Sequence, residues 1–151
     1  MRVLHAGLTL AAACAAFAAG LVQAQNRTAD ELKFQRNPAT GSEIAVVHGD
    51  PSKKGPFIVR VKYPAGFKAM PHSHPADTYV TVLEGTLHFA EGKTFDESKL
   101  KAYPAGSFIF EKANAPHYQM AKRPVVFQAQ GTGPNAFNFV DPKHDPRKQK
   151  K

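Results

Sequence analysis

Three histidines have the residue type and the spacing that a metal site requires. His72 and His74 are two residues apart, and side chains at positions i and i+2 project from the same face of a β-strand. A helix would present such a pair at i and i+4, so this spacing predicts a site on a strand. Imidazole is the commonest metal ligand in proteins. Three of them, with His117 as the third, could hold one divalent ion and leave coordination positions open.

A polar surface loop is the alternative for these histidines. Pro71 and Pro75 bracket the first pair, and His117 follows Pro116 in a segment that could form a turn. The pattern does not identify the ion, because three imidazoles suit iron, zinc, nickel and copper alike. The single cysteine, Cys14, lies in the first 24 residues, so the rest of the chain cannot form a thiolate-rich site.

The first 24 residues have the composition of a secretory signal peptide. Arg2 supplies a positive start, residues 8–22 are apolar and rich in alanine, and Val22-Gln23-Ala24 is typical of a cleavage site. We expect cleavage after Ala24, a periplasmic or secreted protein, and no stable membrane insertion of the mature chain. A lipoprotein signal at Cys14 is disfavoured, because an alanine stands three positions earlier, where an aliphatic residue is expected.

The chain is basic, and much of the positive charge lies at one end. The formal net charge of the whole sequence is +8, and Arg2 contributes one of these charges. Residues 143–151 are predicted to form a solvated basic tail. No aromatic residue lies among these charges to offer a base-stacking surface, so we expect no nucleic-acid partner.

The remaining chain has the pattern of a single all-β domain. Residues 25–40 are polar and are predicted to hold at most a short helix, whereas residues 41–142 contain short apolar runs separated by Gly, Pro and Asn. A jelly-roll barrel is favoured over an immunoglobulin-like sandwich, since it encloses a cavity where ligands can converge. The clearest strand candidates are residues 57–63, 79–83, 86–90, 107–111, 118–121, 125–130 and 136–140.

The faces of some strands can also be predicted. In residues 57–63, alternation places the odd-numbered, apolar residues on the inner face. His48, His88 and His144 are expected to be structural. Large aromatic residues of the other strands are expected to fill the core, namely Tyr79, Phe108, Phe110, Phe127, Phe137 and Phe139.

Two segments of the chain resemble the paired sequence motifs of the cupins. The first runs from Gly66 through His72-Ser73-His74 to Gly85, and the second runs from Pro104-Ala105-Gly106 to His117. With its flanks, the chain is similar to small exported bacterial cupins. The resemblance implies an RmlC-like double-stranded β-helix and an iron, manganese, zinc or similar ion on the three histidines. It also implies a homodimer formed through an edge strand.

The chain departs from the cupin pattern at Thr78, where the resemblance implies a glutamate as the fourth ligand. Positions 72, 74 and 78 are separated by even numbers of residues, so on a strand their side chains would project from the same face. Thr78 is therefore predicted to line the pocket, while Asp77 points away. A β-bulge that re-aims Asp77 could replace the carboxylate. Otherwise three neutral imidazoles would leave the charge of the ion uncompensated, which favours an anionic chelating ligand such as an enolate or a carboxylate.

Two main classes of function fit these features. The first is an exported metal-binding cupin, with metal-dependent dioxygenation of a small enol or carboxylate substrate as the leading reaction. The second is a non-catalytic module that binds a small ligand or a metal ion. An isomerase that uses the ion as an electrophile is a third reading, because the fold supports many chemistries. A small molecule is the expected partner, and the sequence assigns no catalytic base, nucleophile or nucleotide-binding motif.

Overall fold

Eleven β-strands form two antiparallel sheets in the computed structural model, which describes residues 26–148. The predicted signal peptide and residues 149–151 of the tail lie outside the described residues. Six strands form one sheet, in the spatial order β1 (Gln35–Arg36), β2 (Glu43–His48), β3 (Gly55–Tyr63), β10 (Val125–Gly133), β5 (Thr78–Glu84) and β8 (Phe108–Glu111). Five strands form the other, in the order β11 (Asn138–Phe139), β4 (Phe67–Ser73), β9 (His117–Ala121), β6 (Thr86–Glu91) and β7 (Lys101–Pro104).

Helical structure in the described chain is limited to single 3-10 turns at Glu97–Lys99, Pro142–His144 and Pro146–Lys148. The side chain of Asp96 caps the first of these turns by accepting from the N–H of Ser98 at 2.9 Å. Within residues 26–148, no helix has the length and apolar character needed to cross a bilayer. The predicted all-β jelly roll is confirmed.

The core lies between the two sheets and is built from alternate residues of the long strands. In β3, Phe57, Val59, Val61 and Tyr63 are all buried, as alternation predicts. Phe127 of the adjacent β10 is also buried, which confirms its predicted core position. Each large apolar side chain buried in this way contributes roughly 1.5–3 kcal/mol relative to an exposed one.

Strand β8 presents the opposite face to the one that its aromatic residues predict. Phe108 and Phe110 are 60% and 42% exposed, and Tyr79 on the neighbouring β5 is 42% exposed, so the core prediction is wrong for all three. Ile109 faces inward instead and is 4% exposed, opposite Val80 of β5. Both alternate sets of β8 contain apolar residues, so the pairing with β5 decides the face.

A β-bulge in β4 lies just before the first histidine. In the pairing of β4 with β9, Ala69 lies opposite Gln119, and the next pair is His72 opposite His117. Between these two pairs β4 advances by three residues, whereas β9 advances by only two. In a regular strand, residues three apart lie on opposite faces. The extra residue lets both Ala69 and His72 face the interior, and it aims His72 at His117.

Three short strands have no counterpart in the sequence prediction. β1 lies within residues 25–40, where a short helix at most was expected, and both of its residues are exposed. β2 shifts register against β3 between Val46 and His48, which interrupts its alternation. β7 is a polar strand at the edge of the five-stranded sheet. Such strands are defined by their pairing partners rather than by their own residues.

Candidate metal centre

The three predicted ligand histidines converge inside the barrel. His72 lies on β4, His117 lies opposite it on β9, and His74 follows the end of β4. One ring nitrogen of each residue lies within 4.8 Å of the other two, and all three residues are at most 4% exposed. The ring centroids of His72 and His117 are 4.5 Å apart. The two sequence motifs thus contribute to one buried cluster that could hold a metal ion.

Each histidine ring is oriented by a backbone carbonyl group. Because a carbonyl oxygen only accepts, each Nδ1 carries the ring proton and each Nε2 presents a lone pair. Nε2 of His117 is buried without a hydrogen-bond partner in the described chain. This donor set fits a divalent ion. The Nδ1–oxygen distances are 2.7 Å from His72 to Met70, 2.9 Å from His74 to Ala136 and 3.1 Å from His117 to Ala115.

Burial keeps the three rings neutral. Desolvation lowers the pKa of His117 to about 4, and the nearby His74 adds to this effect. Desolvation also lowers the pKa of His72 well below its ordinary value and lowers the pKa of His74. At neutral pH, protons therefore do not compete with a metal ion for the Nε2 lone pairs.

Thr78 faces the interior as expected, although it begins β5 in the other sheet and does not lie on one strand with His72. It is 2% exposed, it lines the cavity beside the histidines, and its hydroxyl oxygen has no hydrogen-bond partner among the described residues. Asp77 is exposed, and its carboxylate accepts a hydrogen bond from the N–H of Ala113 at 2.8 Å. The alternative in which Asp77 turns inward to replace the missing glutamate is therefore wrong.

A carboxylate reaches the cluster from the strand that pairs with Thr78. Glu111 on β8 is the partner of Thr78 on β5, and directly paired residues project from the same face of a sheet. Oε2 of Glu111 lies 3.5 Å from Nε2 of His74, and Oε1 lies 3.5 Å from Nε2 of His117. Two ligands of a tetrahedral ion with bonds of about 2.1 Å would lie about 3.4 Å apart. Glu111 is thus an acidic neighbour of the three histidines, which are the group of the described chain that could hold an ion.

Sequence analysis missed Glu111 because Phe108 and Phe110 favoured the wrong face of β8. The available signal was alternation from Ile109, since an inward Ile109 requires an inward Glu111 two residues later. No local feature of the sequence shows that Glu111 lies opposite Thr78, because that pairing joins strands from distant parts of the chain.

A buried hydrogen-bond chain fixes the carboxyl group of Glu111. Gln119 donates from Nε2 to Oε1 of Glu111 at 2.6 Å, and the hydroxyl of Tyr63 donates to Oε1 of Gln119 at 2.9 Å. Burial raises the pKa of Glu111 to about 8, although the hydrogen bond from Gln119 opposes part of this rise. Without a cation, the carboxyl group is therefore mainly protonated at neutral pH, and a cation on the histidines would favour its ionised form.

His72 and His74 line a cavity between the sheets with a volume of about 480 Å³. His72, His74, Thr78 and Glu111 contribute polar groups to its wall. Clefts of this size hold small organic molecules. The facing wall is apolar and includes Phe57, Val59, Val61, Phe127 and Ala129.

The other histidines of the described chain do not join the cluster. His48 is exposed at the end of β2. His88 is half-buried on β6, between Met120 of β9 and Ala102 of β7, which agrees with a role in the barrel wall. His144 is half-buried in a 3-10 turn of the C-terminal segment.

A family comparison agrees with this architecture. A family model for the ChrR cupin-like domain matches residues 22–134. The chain therefore belongs to the cupin superfamily, in its ChrR cupin-like family. A sequence comparison with curated proteins finds no match.

Solved structures share the fold at low sequence identity. The polyketide cyclase RemF from Streptomyces resistomycificus is 16% identical with a TM-score of 0.67, over 81% of this chain and 89% of that chain. A proposed acetylacetone dioxygenase from Methylibium petroleiphilum PM1 is 19% identical with a TM-score of 0.61, over 95% and 90% of the two chains. An RmlC-like cupin from Shewanella frigidimarina NCIMB 400 is 13% identical with a TM-score of 0.55, over 78% and 92%. These similarities show the fold alone.

Proposed function

We propose that this chain is a metal-binding cupin that, when loaded with iron, acts as a dioxygenase on a small organic substrate of the enol or carboxylate type. The observation that carries the proposal is the convergence of three buried, neutral imidazoles, two of which, His72 and His74, line a largely apolar cavity. The similarity in fold to a proposed acetylacetone dioxygenase supports the same class of reaction. That support is weaker, because one fold hosts many chemistries.

The residues around the cavity have separable roles in this proposal. A bound divalent ion would supply Lewis acidity toward the oxygen atoms of the substrate. The apolar wall from β3 and β10 would hold the remainder of the substrate and exclude water. Glu111 lies beside the histidines on the cavity wall, where its carboxylate can accept the proton that an enol loses on binding. The unpartnered hydroxyl of Thr78 is available to orient the substrate.

The charge of Glu111 narrows the class of ligand. With three neutral imidazoles alone, a divalent ion would leave two positive charges in the pocket. An ionised Glu111 cancels one of them, so a ligand that enters as a monoanion, such as a monocarboxylate, would leave the pocket neutral. A buried site favours such charge balance, because unpaired charge is costly away from water.

Oxygen consumption by the iron-loaded protein tests this function. Diketones, flavonols and catechol-like compounds are offered, and binding of each is measured separately. We expect oxygen uptake with at least one compound that binds, loss of that uptake in His117→Ala, and no loss in His48→Ala, which removes an exposed histidine. Absence of uptake with every compound that binds would refute the dioxygenase.

A non-catalytic binding module is the second candidate, and the position of Glu111 favours it. Its oxygens lie where a fourth ligand could stand, and closed four-ligand sites are structural, whereas catalytic sites keep a position open. The absorption spectrum of the cobalt-substituted protein distinguishes the two functions. A spectrum that changes when azide is added indicates an open position. A tetrahedral spectrum that azide leaves unchanged supports the passive module and contradicts the enzyme.

We also propose that the protein is exported, on the residue pattern of the first 24 positions. Expression of the full-length chain in a Gram-negative host, followed by intact-mass measurement of the periplasmic and culture fractions, tests this. We expect a mature protein that begins at Gln25. Full-length protein confined to the cytoplasmic fraction would contradict export.

A further inference from the structure

Residues Asn135–Phe139, here called the strap, lie along the histidine strand. The strap ends in β11, which pairs with β4 so that Phe139 stands opposite His72. The next residue, Val140, donates its N–H to the carbonyl oxygen of Pro71 at 2.9 Å. The strap is thereby joined to β4 at the ligand positions themselves.

The strap contacts both histidines of the first motif. The carbonyl of Ala136 accepts the hydrogen bond that orients His74. The ring of Phe137 stacks on His72 with a centroid distance of 4.7 Å and an interplanar angle of 26°, and it meets the ring of His74 edge-on at 4.7 Å. Groups that orient metal ligands in this way typically change metal affinity about 10–100-fold when they are removed.

A charged pair beyond the strap fastens it in place. Arg147 donates from Nη2 to the carbonyl oxygen of Phe137 at 2.9 Å. The same guanidinium binds both oxygens of Asp145, at 2.7 Å from Nε and 2.9 Å from Nη2. Asp145 is 4% exposed, so the acid that holds the guanidinium is itself fixed by its surroundings. Bidentate pairs of this kind define geometry as well as energy.

Phe137 and Arg147 also line the cavity, together with Asn135 and Ala136 of the strap. Much of the remaining wall belongs to long strands, which are held by hydrogen bonds along their whole length. The strap is held by a two-residue strand and by four further hydrogen bonds. These join Asn135 N–H to the carbonyl of Pro51 at 2.7 Å, the carbonyl of Ala136 to His74, Arg147 to the carbonyl of Phe137, and Val140 N–H to the carbonyl of Pro71. Unlike those strands, it is a part of this wall that could open by breaking few interactions.

We propose that Arg147 is a positioning residue. Acting through the carbonyl of Phe137, it holds the strap closed over His72 and His74, and so controls how long a metal ion is retained and which molecules reach the cavity. The effect on retention rests on the proposed metal site. The closure itself is a property of the metal-free chain.

The test compares Arg147→Ala with Lys148→Ala, a matched control that removes an exposed neighbouring cation. In the metal-free proteins, hydrogen exchange of the Val140 amide should be about tenfold faster in Arg147→Ala than in wild type, while exchange in β3 stays unchanged. In the zinc-loaded proteins, a bulky chelator should remove the ion about tenfold faster from Arg147→Ala. Lys148→Ala should match wild type in both measurements.

Arg147→Lys serves as a second variant if Arg147→Ala does not fold. Lysine keeps the charge but cannot bridge Asp145 and Phe137 as a planar guanidinium does, so we expect intermediate exchange rates. Unchanged exchange at Val140 would overturn the proposal, as would equal acceleration in every strand. A wild type that binds no zinc would refute the metal site. The exchange rates of the metal-free proteins would still test whether Arg147 holds the strap closed.

Discussion

Glu111 on β8 is paired directly with Thr78 on β5. This pairing places an acidic group at the site although position 78 is a threonine. The cupin pattern places the glutamate at the position of Thr78. Here the acid stands on the partner strand, and its oxygens still reach Nε2 of His74 and of His117 at 3.5 Å. Directly paired residues project from the same face of a sheet, so a carboxylate at either position faces the histidines.

We expect Glu111→Gln to weaken metal binding and to stabilise the metal-free protein at alkaline pH. Loss of the carboxylate should reduce metal affinity about 10–100-fold. The pKa of Glu111 is raised from 4.5 to about 8 in the folded protein. Between these pH values the carboxyl group is ionised in the unfolded chain but stays protonated in the folded protein. The free energy of unfolding therefore falls as pH rises through this range. Glutamine removes that loss, which should add roughly 2–4 kcal/mol to the unfolding free energy at pH 9.

Metal titration and urea denaturation check these two effects. Glu84→Gln is the matched control, because Glu84 is an exposed glutamate on β5. Unchanged affinity in Glu111→Gln, or equal effects in the control, would show that the buried carboxylate does not act on the centre.

The double variant Thr78→Glu with Glu111→Gln moves the acid to the partner strand. Both positions face the cavity, so a glutamate at position 78 has room to reach the histidines. We expect the double variant to recover most of the metal affinity that Glu111→Gln loses, as measured by competition with a chelator. A double variant as weak as Glu111→Gln alone would contradict the assumed equivalence of the two positions.

At the scale of elements, local alternation predicted β3 correctly, because it rests on one strand's own pattern. Thr78 does face inward, but it lies on β5 of the other sheet, so counting residues from His72 along a single strand was not the physical reason. The face of β8 could not be predicted in this way, since Phe108 and Phe110 compete with Ile109 for the core. The bulge in β4 was also not predicted, because it is defined by a change in the pairing of β4 with β9. The parts of the site that depend on long-range pairing were therefore the parts that sequence analysis missed.

Substitutions in β8 should show which face is buried. Ile109→Ala should cost about 2–5 kcal/mol of unfolding free energy, because it deletes a buried side chain from a packed core. Phe108→Ser should change stability by about 0.5 kcal/mol or less, because this ring is 60% exposed. Urea denaturation of the metal-free variants measures both. A larger loss in Phe108→Ser than in Ile109→Ala would mean that the face of β8 is reversed.

The outer face of β8 carries an aromatic cluster that contacts solvent. Tyr79 lies 5.5 Å from Phe110 and 6.4 Å from Phe108 between ring centroids, beside the edge strand of the six-stranded sheet. The homodimer that the cupin resemblance implies stays a prediction. Light scattering on the purified protein would measure its mass in solution.

At the scale of the whole molecule, the candidate centre joins the two sheets. His72 and His117 lie on strands of the five-stranded sheet, whereas Glu111 lies on the six-stranded sheet. An ion bound by these residues would connect the layers in the folded state and could not do so in the unfolded chain. Metal binding should therefore raise the melting temperature, increasingly so with the free metal concentration.

The metal-free protein should be most stable near pH 6.5. Below that value, unfolded histidines become protonated while His117, whose pKa is lowered to about 4, stays neutral when folded, so stability is lost as pH falls from 6.5 toward 4. The lowered pKa values of His72 and His74 act in the same direction. The raised pKa of Glu111 lowers stability from about pH 4.5 to about pH 8, so its effect opposes that of the three histidines below pH 6.5 and acts alone above it.

Melting temperatures of the metal-free protein between pH 4 and pH 9 test this profile. A saturating metal ion should remove the loss above pH 6.5, because the ion stabilises the ionised form of Glu111. In Glu111→Gln, which lacks the opposing effect of the carboxyl group, a stability that does not change between pH 4 and pH 6.5 would show that the histidines are not buried in the neutral state.

Elemental analysis after metal loading and gel filtration tests the central claim most directly. The wild type is compared with His72→Ala, His74→Ala and His117→Ala, and His48→Ala controls for the loss of an exposed histidine. We expect one ion per chain in wild type and in the control, and a much lower content in each of the other three variants. Equal metal content in all five proteins would contradict a centre formed by these three imidazoles.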